Sequence, residues 1–235
     1  LPFAKTQLYH HSTHTPLIVS WPGITKSGSI NNSHMVSAID LLPTFLEIAK
    51  IKEPKGLQGR TFYPLLKGNK QVERDIIFKE YNENAGGIRN PMRGVQTHQY
   101  LYLFNPWSNG KRTMATATNG TATWKRMLAL SSENETIRKR VNVMRYRTVE
   151  ELYDVTNDPD CLNNLAKSKD HQNTIKNLRK KLHEWMNKTN DHALASFKPN
   201  DVKLMEDYVQ SKQMESDSRR KKKKKTANPK AKKSN

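Results

Sequence analysis

Residues 1–23, "LPFAKTQLYHHSTHTPLIVSWPG", set one lysine and three histidines (Lys5, His10, His11 and His14) directly ahead of an apolar run. Within that run, "PLIVSW" at residues 16–21 is apolar on both faces. Such a run suits a strand inside a parallel or mixed sheet covered on both sides, which makes α/β the expected fold class. The "PG" at Pro22 and Gly23 then ends the strand with a turn. An ionisable cluster at the mouth of a core strand is the feature that asks for a reason.

The chain after it reads as alternating short elements. In "SAIDLLPTFLEIAK" Asp40 can cap a helix whose first turn holds Pro43, where a missing N–H costs nothing. Leu42, Phe45, Leu46 and Ala49 then form one apolar stripe. "GLQGRTFYPLLKGNK" is a glycine-punctuated connection with an apolar knot at Phe62–Leu66. From about Arg74 the texture changes. "RDIIFKEY" and "MRGVQTHQYLYLFN" alternate near period two and read as two antiparallel strands joined by the loop "NENAGGIRNP". Residues 122–146 look helical, with Trp124, Met127, Leu128, Ile137, Val141 and Met144 inward. "EELYDV" reads as a short strand and "TNDPD" as a turn. Ile175, Leu178, Leu182 and Trp185 mark a clear amphipathic helix. The expected architecture is therefore the end of an α/β domain followed by a smaller α+β unit of antiparallel strands and packed helices.

Charge is unevenly spread. The 235 residues carry a formal +19, but ten positives and no acid lie in 219–235, leaving +9 on the first 218 residues. A block of like charges repels itself and is expected to stay disordered. The single cysteine, Cys161, excludes an internal disulfide and a cysteine-based zinc site. No run approaches the length of a membrane-spanning helix. With no initiating Met or signal peptide, the N-terminus is read as not the native one.

Five strings in order resemble the C-terminal portion of a type I sulfatase, in the alkaline-phosphatase superfamily. They are "PFAKTQLYHHSTHTPLIVSWPG", "VSAIDLLPTFLEIAKI", "GLQGRTFYPLLKG", "PMRGVQT" and "ELYDVTNDPDCLNNLA". The last two, with "LHEWMNKTND", are most similar to the heparan N-sulfatase (N-sulfoglucosamine sulfohydrolase) branch. The resemblance implies the C-terminal end of an alkaline-phosphatase-like mixed-sheet domain over 1–72 and an α+β subdomain over 73–192. A peripheral helix or linker over 193–218 and a disordered Lys/Arg-rich tail over 219–235 complete the expected division.

The resemblance also implies the chemistry: hydrolysis of a sulfate ester or sulfamate on a sulfated glycan, in a periplasmic or secreted protein. In the family a formylglycine made from the cysteine of C-x-[PA]-S-R attacks sulfur, and a divalent metal, usually Ca2+, polarises the sulfuryl oxygens. Cys161 sits in "DCLNNL" with no Pro-Ser-Arg after it, so it cannot be the modified nucleophile, and the resemblance implies that the formylglycine and the metal ligands lie ahead of this chain, with no metal site in it. The chain by itself is accordingly expected to be inactive. One position of the site falls inside. The family's K-T-x-x-Y lysine, which points at the sulfate, corresponds to Lys5, followed by Thr6 and Tyr9.

The remaining candidates are weaker. His10, His11 and His14 are not at helical spacing and have no nearby carboxylate in sequence, which disfavours a metal triad. His14 stands where relatives carry a basic residue and is a candidate substrate contact. Arg93 is either a substrate-facing guanidinium or a strand arginine paired to an acid. Asp158 and Asp160 read as a turn rather than a calcium loop. The alternative to an enzyme is a non-catalytic polyanion-binding protein, for nucleic acid or glycosaminoglycan, acting through the basic run at 219–235. No aromatic residue is interleaved with that run, which favours contact with sulfated glycan over nucleic acid.

Overall fold

The computed structural model describes residues 5–72, 74–198 and 200–227. The chain divides into two compact units. One takes the segment ending at His14, Phe78–Val95 and the chain from Gln99 on; the other takes Thr15–Ile77 with Gln96–His98.

The larger unit is built on a four-stranded meander, β1 (Ile76–Glu83), β2 (Arg89–Thr97), β3 (Tyr100–Phe104) and β4 (Glu150–Asp154), in that spatial order. β3 and β4 pair antiparallel with Leu101 opposite Tyr153 and Leu103 opposite Glu151. Residues directly opposite share a face, so Leu101, Leu103, Glu151 and Tyr153 look one way and Tyr102, Phe104, Glu150 and Leu152 the other. The first face meets Leu8, Tyr9 and the helices α4 (Ala122–Leu130) and α5 (Glu135–Tyr146) through Trp124, Val141 and Met144. The second meets α6 (Gln172–Lys188), whose Ile175, Leu178, Leu182 and Met186 are buried. Trp185, expected in that stripe, stands at its edge and stacks on Phe78 at 5.1 Å between ring centres. This layered α+β unit is what the alternating texture predicted.

Three boundaries differ from expectation. "MRGVQTHQYLYLFN" is two strands, since the chain reverses at His98–Gln99. That turn has none of the Gly or Asn residues that announce a hairpin. The long helix at 122–146 breaks at Ser131–Asn134, where the Asn134 side chain accepts from the Ile137 N–H at 3.0 Å and starts α5. The basic run is the largest correction. Residues 219–227 are not disordered but continue α7 (Val202–Ala227), and 228–235 lie outside the described residues. The helix is seeded by burial of Met205, Val209 and Ser216. Ser216 Oγ donates to the Gly87 carbonyl at 2.9 Å, and Arg219 pairs with Glu83 at 3.3 Å. Lys and Arg are good helix formers, and cations at a helix C-terminus are favoured by its dipole, so propagation outweighs like-charge repulsion there.

The smaller unit contains α2 (Leu41–Ile48) and α3 (Tyr63–Leu66), preceded by α1 (His10–Thr13) in the other unit. Asp40 does not cap α2. It sits in the 3-10 turn Ala38–Asp40 and binds the Ser37 and Arg60 backbone N–H groups, both at 2.8 Å, and Arg74 at 2.5 Å. Gly59 is required beside it, because a Cβ there would lie 2.0 Å from the Ile39 carbonyl oxygen. The expected strand at 16–21 does not form. No described strand lies alongside to pair with it, and Ile18 stays 89% exposed. Leu42 and Phe45 of the predicted helical stripe are exposed as well, while Pro43 and Thr44 are buried.

Candidate functional site

The segment Lys5–His14 enters the larger unit as an exposed residue followed by three buried ones. Lys5 is exposed, whereas Gln7, Leu8 and Tyr9 are each 4% exposed or less. Between them Thr6 adopts φ 56°, a left-handed conformation that a β-branched residue takes only when its surroundings force it. Thr6 Oγ1 donates to the Lys5 carbonyl at 2.7 Å, and the Gln7 N–H donates to Ser12 Oγ at 3.2 Å. α1 then turns the chain back.

What holds this turn is a buried polar network. The Tyr9 hydroxyl donates to Glu151 Oε2 and accepts from Arg147 Nη1, both at 2.5 Å. Arg147 Nη2 also donates to Gln7 Oε1. Glu151 further accepts from the Tyr153 hydroxyl at 2.7 Å and from Asn105 Nδ2 at 2.8 Å. The guanidinium of Arg147 lies 4.6 Å from the centre of the Tyr9 ring. Burial raises the Tyr9 hydroxyl well above its ordinary pKa, and Glu151 adds to that while Arg147 opposes it. The hydroxyl therefore stays protonated and remains a donor to Glu151 at any physiological pH.

Beside the turn, Lys79 of β1 donates from Nζ to Thr13 Oγ1 at 2.5 Å, and burial lowers its pKa to about 8. Cys161 is buried, and desolvation pushes its thiol up to about 11. A thiol held protonated in this way is unreactive. Asp158 binds the Leu162 and Asn163 backbone N–H groups at 2.9 and 2.8 Å, as a turn aspartate does.

The sequence candidates fall in different places. Lys5 and His14 share one short segment; His14 is exposed and stacks on His10 at 4.7 Å between ring centres. His11 instead bonds Asp160 at 2.9 Å. Arg93 lies inside the sheet, fully buried, and has the ion-paired geometry. Its Nε and Nη2 reach Asp191 Oδ2 and Oδ1 at 2.5 and 2.9 Å, while Nη1 serves Asn82 and the Met92 carbonyl. Among the described residues no group of three or more His, Cys, Asp or Glu could hold a metal ion. The residues at hand thus do not fit the calcium and formylglycine that the resemblance implies. Gln7, Arg147, Glu151 and Asn105 carried no signal as site residues, because nothing local in sequence brings them together.

Comparison with known proteins follows the same line. Residues 2–109 match the family described as N-sulphoglucosamine sulphohydrolase, C-terminal. An ulvan-active sulfatase of Formosa agariphila is 30% identical over 181 residues, covering 75% of this chain and 33% of that protein. An N-acetylglucosamine-6-sulfatase of Bos taurus is 29% identical over 178 residues, covering 72% and 29%. Among solved structures, a 2-O GAG sulfatase aligns at TM-score 0.44 and 22% identity over 65% of this chain and 25% of that one. The chain spans a third or less of the length of the curated relatives it matches.

Proposed function

Because this chain carries a C-terminal sulfatase region, we propose that the whole protein containing it hydrolyses sulfate ester or sulfamate groups of a sulfated glycan. The observation that carries the reading is Lys5 itself, exposed two residues ahead of the buried Gln7, Leu8 and Tyr9 that hold its turn. A sulfate group is anionic at physiological pH, so its charge must be offset before a nucleophile can approach sulfur. A compact ammonium suits a tetrahedral oxyanion, and held against the sulfuryl oxygens it offsets the charge that repels the nucleophile. In this reading Lys5 contacts the sulfuryl oxygens and His14 lies at the rim toward the sugar. Arg93 braces β2 through Asp191 rather than touching substrate.

The calcium ion and the formylglycine have no seat among the described residues, and the reading assigns both to other parts of the whole protein. The exposed Leu17, Ile18, Leu42 and Phe45 support the same view: they are what a piece of a larger α/β domain would leave uncovered. No helix among the described residues is long and apolar enough to cross a membrane. From the sulfatase relatives alone, the reading takes the working place to be periplasmic or secreted.

The test is sulfate release, measured by ion chromatography, from a panel of O-sulfated and N-sulfated saccharides. Release by the whole protein, and none by residues 1–235 alone, is the expected result. No release from any member by the whole protein removes the proposal.

The basic end of α7 supports one partner. Arg219–Lys223 are exposed along a helix that is anchored through Ser216, so a row of cations is displayed in fixed spacing. We take it to hold sulfated polysaccharide near the enzyme by counterion release. Exchanging these five residues for glutamine should move elution from immobilised heparin to clearly lower salt. Unchanged elution contradicts the contact.

A further inference from the structure

We propose that Tyr9 is a positioning residue for Lys5, with its hydroxyl as the joint through which Arg147 and Glu151 fix the turn that aims the ammonium. The inference rests on the reading of Lys5 as the sulfate contact.

Lysine carries its charge on a flexible four-carbon stem, so its value to a transition state depends on where the backbone starts the stem. That start is unusual here. Thr6 sits at φ 56°, and the strain of holding a β-branched residue there must be offset by neighbouring contacts. Those contacts lie at Gln7 and Tyr9, one and three residues on. Gln7 is held by Arg147, and Tyr9 by both Arg147 and Glu151. A tyrosine hydroxyl has one proton to give, and here it gives it to Glu151 while accepting from Arg147. The two charged residues come from the far side of the sequence: Arg147 from the end of α5, itself at φ 56°, and Glu151 from β4. Glu151 is in turn oriented by Tyr153 and Asn105, so the joint is tied to the sheet rather than to a loop.

Phenylalanine at position 9 would keep the edge contact to the Tyr153 ring, 5.7 Å between centres, and the ring face under Arg147. It would remove only the oxygen that joins Arg147 to Glu151. The turn would keep its burial and lose its fixed orientation.

The test is a double-substitution cycle in the whole protein, read as kcat/KM for sulfate release, with circular dichroism confirming that each variant is folded at the assay temperature. Tyr9→Phe is expected to lower turnover by about tenfold to a hundredfold, the scale of a misplacement near 1 Å. In a Lys5→Ala background the same change should have no further effect, because the group it positions is gone. A merely structural role would produce the same loss in both backgrounds. Arg147→Lys, which keeps the charge and gives up the fork to Gln7, should repeat the pattern with a smaller loss, and it stands in if Tyr9→Phe fails to fold. Unchanged turnover in Tyr9→Phe, or equal losses in the two backgrounds, overturns the inference. Wild-type turnover in Lys5→Ala overturns the reading of Lys5 beneath it, a result distinct from either.

Discussion

Asp191→Ala is expected to destabilise the sheet unit by about 3 kcal/mol, because it leaves the buried Arg93 guanidinium with only the exposed Glu80 carboxylate, 3.9 Å away, as counter-charge. The side chains of Arg93 and Asp191 are 1% and 3% exposed, so water cannot replace the lost carboxylate. Burial alone would raise the Asp191 pKa, but the hydrogen bonds and charge of Arg93 outweigh it and hold the carboxyl below its ordinary value. A carboxyl depressed in the folded state stabilises above its unfolded pKa and loses that contribution as pH falls through the folded one. The pair is therefore intact at neutral pH. Urea unfolding at pH 7 should show a lower midpoint with an unchanged slope. Arg93→Met combined with Asp191→Leu should recover most of the loss, since two apolar groups need no partner. A single Asp191→Ala variant as stable as the parent would show that the pair does not brace the unit.

Much of the sheet unit was legible because its signals are local. The 3-4 spacing in α6 follows from burying one face of a helix, and "EELYDV", legible as a short strand, forms β4 with its three central residues buried. The run at 16–21 departs from the strand expectation for a physical reason. Apolar residues on both faces report a need for burial, not the presence of a neighbouring strand to pair with. The basic run failed differently: charge counting weighs repulsion along the run but not the anchor at Ser216 from which a helix can propagate.

In the site, Lys5 and Tyr9 were found by resemblance to a motif, and their spacing explained nothing alone. The groups that hydrogen-bond the Tyr9 hydroxyl stand 138 and 142 residues away. Sequence could place Glu151 and Tyr153 on one face of β4 by parity, yet a charged residue at a core-facing position has no visible partner until the chain folds. Sequence alone leaves Arg93 open between two roles for the same reason, and Asp191, 98 residues on, decides its geometry.

Lys5→Ala is expected to have the largest effect on activity. Removing one preorganised group that offsets charge at the reacting centre costs about 10²–10³-fold in kcat, and the loss should appear mainly in kcat if the ammonium binds the transition state more tightly than the substrate. Lys5 is exposed, so folding should be untouched, and urea midpoints of parent and variant should coincide. Lys5→Arg keeps a cation but spreads its charge over a planar fork, and should retain part of the activity.

Sulfate released per minute from a sulfated saccharide by the whole protein, with lysine or alanine at position 5, therefore weighs the oxyanion assignment most directly. A drop of about a hundredfold or more at equal stability is the predicted result. Equal rates from the two proteins would contradict it.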